Sequence, residues 1–177
     1  MSRGVKKASI RDLSRYQLEP EDLGAWVVEL TGSSPRACAL VGGAFLANLL
    51  QRLICTKLIP LDATEVPRIF ESPGPATDFH QRIELAWALG LIDGSTRGDL
   101  RIIKDVRNAF GHAPQRLTFA DPFITSQCLN LTGAGLDVRS AFVERVLDLG
   151  GDWTHAINHH YRLANRRLKR PKRSRSV

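Results

Sequence analysis

The stretch TDFHQRIELAWALGLIDGSTRGDLRIIKDVRNAFGH, from Thr77 to His112, decides how the rest of the chain is read. Two apolar stripes at helical spacing run through it. In the first, Phe79, Ile83, Trp87, Gly90 and Leu91 fall on one side, and Leu85, Ala86 and Leu89 widen the stripe. In the second, Leu100, Ile103, Val106 and Phe110 recur, with Ile102 beside them. Between the two, Asp93-Gly94-Ser95-Thr96-Arg97-Gly98 reads as a turn;. The spacing predicts one helix from Ala76 or Thr77 to Leu91. It predicts a second from Asp99, as its N-cap, to Gly111 as its stop.

The same period extends in both directions. Leu13, Tyr16, Leu18, Leu23, Trp26, Val27 and Leu30 predict two short helices, or one broken at Pro20-Glu21-Asp22;. Ser34 and Pro35 mark an N-cap and first helical position, opening a helix to about Leu58;. That helix is apolar around most of its circumference, which predicts the central buried element. Gly42 and Gly43 inside it cost helix propensity and point to close approach of a neighbouring helix;. Asp62 to Phe70 reads as a short capped helix, and Glu71 to Pro75 as a loop. After the break at Ala113-Pro114, Leu117 to Pro122 is short and extended, and Phe123 to Leu131 makes a helical turn or two. Leu136 to Leu149 is a helix, and Asp152 caps a last one from Trp153 to about Lys169. No repeat and no strand–helix alternation is visible. The expectation is an all-α fold, an irregular helical bundle over residues 1–165, with a disordered basic C-terminal tail over 166–177.

Composition narrows the class. About 43% of the 177 residues are hydrophobic, enough to build a core;. The longest apolar run, Ala37 to Leu50, is interrupted by Asn48 and falls short of the roughly 18 residues that span a membrane;. The polar N-terminus lacks the apolar segment of a secretory signal;. A cytoplasmic protein with no membrane partner is expected. Cys38, Cys55 and Cys128 are odd in number and match no zinc or redox spacing, so they read as reduced packing residues;.

Charge is unevenly placed. The net charge is +7, and Arg162, Arg166, Arg167, Lys169, Arg170, Lys172, Arg173 and Arg175 contribute eight positive charges with no acid among them. Removing them leaves the rest of the chain at −1. The residues from Arg166 to Arg175 are therefore the candidate contact for DNA or RNA, through salt-sensitive phosphate binding. They carry no base-reading element.

The residues with chemical potential lie at the end of the opening stretch. Arg107, Asn108 and His112 come together at a predicted helix end. A histidine there can act as general base on a ribose hydroxyl, and an arginine can stabilise phosphorane oxygens. Geometry opposes them: five residues turn an ideal helix through about 500°, leaving Arg107 and His112 roughly 140° apart. Convergence requires unwinding at Gly111 or a second subunit across a two-fold axis. The blander reading pairs Arg107 and Asn108 with acids such as Glu84 and leaves His112 at the helix dipole. His80 reads as a surface residue. His155 and His159 are an i, i+4 pair, but no acid or cysteine completes a metal site beyond Asp152;. No metal or other cofactor is expected.

Several blocks resemble the family of the mannitol operon repressor, MltR. They are Leu40-Val41-Gly42-Gly43-Ala44-Phe45-Leu46, Phe70 with Gly74 to Phe79, Arg82 to Ile92, Ile103 to His112, and Leu117-Thr118-Phe119. They keep the family's order and spacing over roughly Arg36 to Ile124, about half the chain. The resemblance implies an all-helical fold and a non-enzymatic negative regulator of transcription, a repressor or corepressor, dimeric and acting through a protein partner. The chain departs from the family pattern at Gly111, where alanine is usual, and in its basic tail. The Arg107-x4-His112 spacing is also similar to the R-x(4–6)-H motif of HEPN domains. By that resemblance the alternative function is a metal-independent endoribonuclease, with Arg107 and His112 catalytic and Asn108 supporting.

Overall fold

The computed structural model describes residues 23–62, 64–135 and 137–168. The helices predicted before Leu23 and the tail residues Lys169, Arg170, Lys172, Arg173 and Arg175 lie outside the described residues, as does the expected disorder of that tail. Among the described residues there are seven helices and no strand. They are α1 (Leu23–Gly32), α2 (Pro35–Cys55), α3 (Glu65–Phe70), α4 (Phe79–Ala88), α5 (Gly94–His112), α6 (Pro122–Cys128) and α7 (Val138–Leu168). The all-α bundle read from the periodicity is the fold.

Helix α2 is the centre. It packs against α1, α4, α5 and α7, while α6 bridges α5 and α7. Ser34 caps it by accepting from the Ala37 amide at 3.2 Å, with Pro35 in the first turn. Its buried residues include Phe45, Leu46, Leu49, Leu50, Leu53 and Ile54. By length and composition, 21 residues with an 18-residue window of mean hydropathy 1.6, it is long and apolar enough to cross a membrane. This corrects the expectation of too short a run, because Asn48 and Gln51 interrupt the apolar sequence but not the helix. Its apolar surface is met by the surrounding helices: 56% of the most apolar window is buried.

Gly42 and Gly43 do what their cost suggested. A methyl group at Gly42 would touch Phe142 and Val146 of α7, both at 3.4 Å. One at Gly43 would lie 2.7 Å from Cγ of Arg107 on α5, inside van der Waals contact. Because consecutive helical residues point about 100° apart, adjacent glycines admit two different neighbours.

Most predicted boundaries shift by two or three residues, and three of the changes bear on the packing. Helix α5 starts at Gly94, not Asp99: Asp93 is the N-cap and accepts from the Thr96 amide at 2.7 Å. The presumed turn is its first turn, and Gly94 and Gly98 are helical. Asp99 is instead buried inside α5, where Arg145 of α7 donates to it at 2.8 Å and the Thr132 amide at 3.0 Å. Helix α4 ends at Ala88, not Leu91. Gly90 adopts φ +66, and the Leu91 amide donates back to the Ala86 carbonyl at 3.0 Å, a left-handed stop open to glycine;. The two final helices are one. Helix α7 runs unbroken through Gly150-Gly151-Asp152, because Phe142, Val146, Leu149, Trp153 and Ile157 form a continuous buried stripe. Two glycines cost about 1 kcal/mol each there, and the apolar burial on both sides outweighs that. Gly150 has a positive use, since a side chain would collide with the Phe45 ring.

Arginines fasten the irregular connections. The Arg82 side chain is buried and donates to the carbonyls of Ala76 (3.0 Å), Ala47 (3.1 Å) and Phe70 (3.1 Å), tying the loop after α3 to α2. Arg139 of α7 donates to Leu30, Thr31 and Ser33 at the end of α1. Arg36 of α2 donates to Ala113 at 2.7 Å and Gln115 at 3.0 Å, beyond the end of α5.

The same replacement should have opposite effects at two glycines. Gly43→Ala forces Arg107 and α5 outward and lowers unfolding free energy by about 1–2 kcal/mol after the gain in helix propensity. Gly111→Ala meets only the tip of Leu40 at 3.4 Å, and raises stability by about 0.5 kcal/mol. Urea titration of both variants beside the parent protein checks the signs.

Candidate functional site

Helix α5 positions the three residues singled out at its end, and its regularity decides how they relate. The Ala113 amide donates to the Ala109 carbonyl at 3.0 Å, so the helix is intact through Gly111 and His112. The unwinding that one chain would need to bring Arg107 and His112 together does not occur. Arg107 lays its aliphatic stem over Gly43, toward α2. His112 is exposed and lines an open concavity on the α6 side with Ala109, Leu117, Asp121, Phe123 and Ile124.

The guanidinium of Arg107 nevertheless turns back along the helix surface. Its Nη1 donates to Oδ1 of Asn108 at 2.9 Å. Asn108 and His112, four residues apart, share a face within about 40°. The head of Arg107 is thus drawn toward the face of His112 while its Cα points away. The expected pairing of Arg107 with Glu84 is incorrect. Glu84 of α4 is held instead by Arg97 at a short contact and by Arg101 at 2.7 Å. The reason is axial position: Arg97 and Arg101 lie in the first turns of α5, beside α4, whereas Arg107 lies further along.

That ion cluster contains residues the periodicity alone misassigns. Trp87 was expected in the core stripe of α4, but it is 46% exposed. The guanidinium carbon of Arg97 sits 3.8 Å from the centre of its ring. His80, one turn before Glu84, approaches the carboxylate at 4.0 Å. On an ideal helix Arg97, Arg101, Lys104, Asn108 and His112 fall within about 80° of one another over about 22 Å. A polar face therefore runs the length of α5, opposite buried Leu100, Ile103, Val106 and Phe110. The four-residue step from Arg97 to Arg101 is the signal that would have found it. It was hidden because the segment before Asp99 was read as a turn.

The cysteines are free. Burial pushes the Cys128 thiol up to about 11. It also raises Cys38 and Cys55, despite Arg139 near the first and Arg82 near the second. Among the described residues no three histidines, cysteines or carboxylates gather where they could hold a metal ion. His155, His159 and His160 are exposed on α7. Arg166 and Arg167 lie in its last turn.

Comparison with protein-family models, with curated proteins and with solved structures finds no match to this chain.

The hydrogen bond from Arg97, reinforced by Arg101, holds the Glu84 carboxyl down to about 2. A lowered folded-state pKa gives stabilisation that is present above the unfolded value and is lost as pH falls through about 2;. Replacing Glu84 by Gln should therefore cost stability at neutral pH, by about 0.2–1 kcal/mol for a solvent-screened cluster. The difference from the parent should shrink as the pH approaches about 2. Denaturant midpoints at neutral and acidic pH measure it, and added salt should reduce it further.

Proposed function

We propose that this chain is a regulatory binding domain of the mannitol-operon-repressor type, working in the cytoplasm as a homodimeric repressor or corepressor and without catalysis of its own. The observation that carries the reading is the surface beside His112. Phe123 is 87% exposed at the rim of a concavity lined by Ala109, Leu117 and Ile124. Leu129, just past α6, is 53% exposed. Large apolar side chains left open around a recess suit docking of a protein.

Direct reading of DNA has less support. The helix after the shortest turn is α2; its Arg36 is engaged with the Ala113 and Gln115 carbonyls, and its exposed middle positions, Ala44 and Asn48, carry no charge to meet the phosphates flanking a major groove;. Nucleic acid would instead meet the basic residues from Arg166 to Arg175, as a sequence-independent contact. Phe123→Asp should leave thermal stability within about 0.5 kcal/mol, because the ring is exposed. It should raise the same transcripts that rise when the whole gene is deleted. A deletion strain with an unaltered transcript profile would sink the proposal.

One observation favours the ribonuclease alternative. Arg107 reaches Asn108, on the face of His112. In that reading His112 takes the proton from a ribose 2′-hydroxyl, and the 2′-oxygen bonds to phosphorus as the bond to the 5′-oxygen breaks. Arg107 steadies the charge on the phosphorus oxygens, and the 5′-oxygen leaves with a proton from water, giving a 2′,3′-cyclic phosphate. The purified protein would then cut RNA in the presence of a chelator, and His112→Ala would abolish cutting. Undiminished cutting by that variant would remove the reading.

A further inference from the structure

We propose that Trp87, Arg97 and Arg101 form a binding surface for single-stranded polynucleotide, with Glu84 occupying the place of its phosphate. The inference stands apart from the regulatory reading, because it concerns the α4–α5 face and not the recess beside His112.

The chemistry of the patch is specific. An exposed tryptophan stacked on an arginine offers a π-face on which a base can lie, whatever its identity. Trp87 is 46% exposed although Arg97 lies against it. Arg101 is 45% exposed and directs both Nε (3.0 Å) and Nη2 (2.7 Å) at one oxygen of Glu84, while Arg97 takes the other. Two guanidinium groups converging on one carboxylate make a geometry that equally fits a phosphate. The chain's own Glu84 carboxylate fills it. Beyond Arg101, Lys104 and the Arg107–Asn108 pair continue the polar face of α5, so a strand has further contacts along the helix. Asp105, paired with Lys104 at 2.7 Å, and Glu84 are the opposing charges on that route. They offset two of the four positive charges of Arg97, Arg101, Lys104 and Arg107, which is why the net charge of the chain does not reveal this surface.

A base on Trp87 places its phosphate toward Arg101, and Glu84 must yield one or both guanidinium groups. Removing the negative charge at Glu84 therefore strengthens binding, whereas a purely structural ion cluster would lose stability and leave binding unchanged.

The test uses the full chain, with labelled oligouridylate and oligothymidylate followed by fluorescence anisotropy across a salt series. Trp87→Ala should weaken binding about tenfold, the usual loss for one stacked base, and Trp87→Phe should retain most of it. Arg101→Ala should weaken binding and lower the salt slope by about one. Glu84→Gln should tighten binding several-fold. Thermal melting of each variant verifies folding. If folded Trp87→Ala binds as well as the parent, the proposal is overturned and the basic tail accounts for the affinity. Equal, Trp87-independent binding of polyphosphate or of a phosphopeptide would also overturn it, by reducing the surface to an anion patch. The ratio of uridylate to thymidylate affinity distinguishes RNA from DNA as the strand it takes.

Discussion

Gly42 and Gly43, two side chains absent from the middle of α2, set the distances on which the bundle depends. One admits Phe142 and Val146 of α7 and the other admits the stem of Arg107 on α5. With the longest helices seated on α2 at these points, the remaining elements have little choice. Helix α4 must close against α2 and α5, and α6 fills the gap between α5 and α7. Interiors pack close to crystal density, so a methyl group added at Gly43 must displace Arg107 and its helix, whereas one at Gly42 would only just touch α7;. The helix propensity lost at two glycines is small beside the core they allow to close.

An irregular bundle also has to satisfy the carbonyls at its helix ends, and here arginine does so without an acid. Arg36, Arg82 and Arg139 each direct a guanidinium at main-chain oxygens across long sequence separations. A charged donor to a carbonyl is stronger than a neutral one, and the planar fork reaches several oxygens at once. Asp99 and Arg145 are the contrasting case, a pair that links α5 to α7 with the carboxylate almost fully buried. Such a pair contributes little net stability but is costly to break, since either partner alone would be an uncompensated charge. Glu84 with Arg97 and Arg101 lies at the surface, where water screens the charges and exchange for another anion is cheap.

The two faces of α5 thus divide the labour of the molecule. Its apolar side is fixed in the core together with Asp99 and the stem of Arg107, and its polar side carries Arg97, Arg101, Lys104, Asn108 and His112. Rigidity matters to any function proposed for it. A helix intact to His112 holds its side chains in register but keeps the Arg107 and His112 backbone positions far apart around the axis. Convergence of the two then falls to the reach of the Arg107 head or to a second chain.

Local sequence patterns determined much of this protein. The apolar period marked the helices, Ser34 and Pro35 the start of α2, and the Gly42-Gly43 pair the close approach. These are legible because helix geometry and capping depend on neighbours within four residues. The tertiary structure decided what depends on distant partners. Asp99 looks like a cap, yet a half-buried arginine 46 residues away makes it a core ion. Gly150-Gly151-Asp152 looks like a break, yet Phe45 and the packed stripe of α7 carry the helix through it. Trp87 looks like core, yet it lies at the surface of α4 against Arg97 of α5. In each case long-range packing, worth several local preferences combined, overrides the neighbour-scale signal.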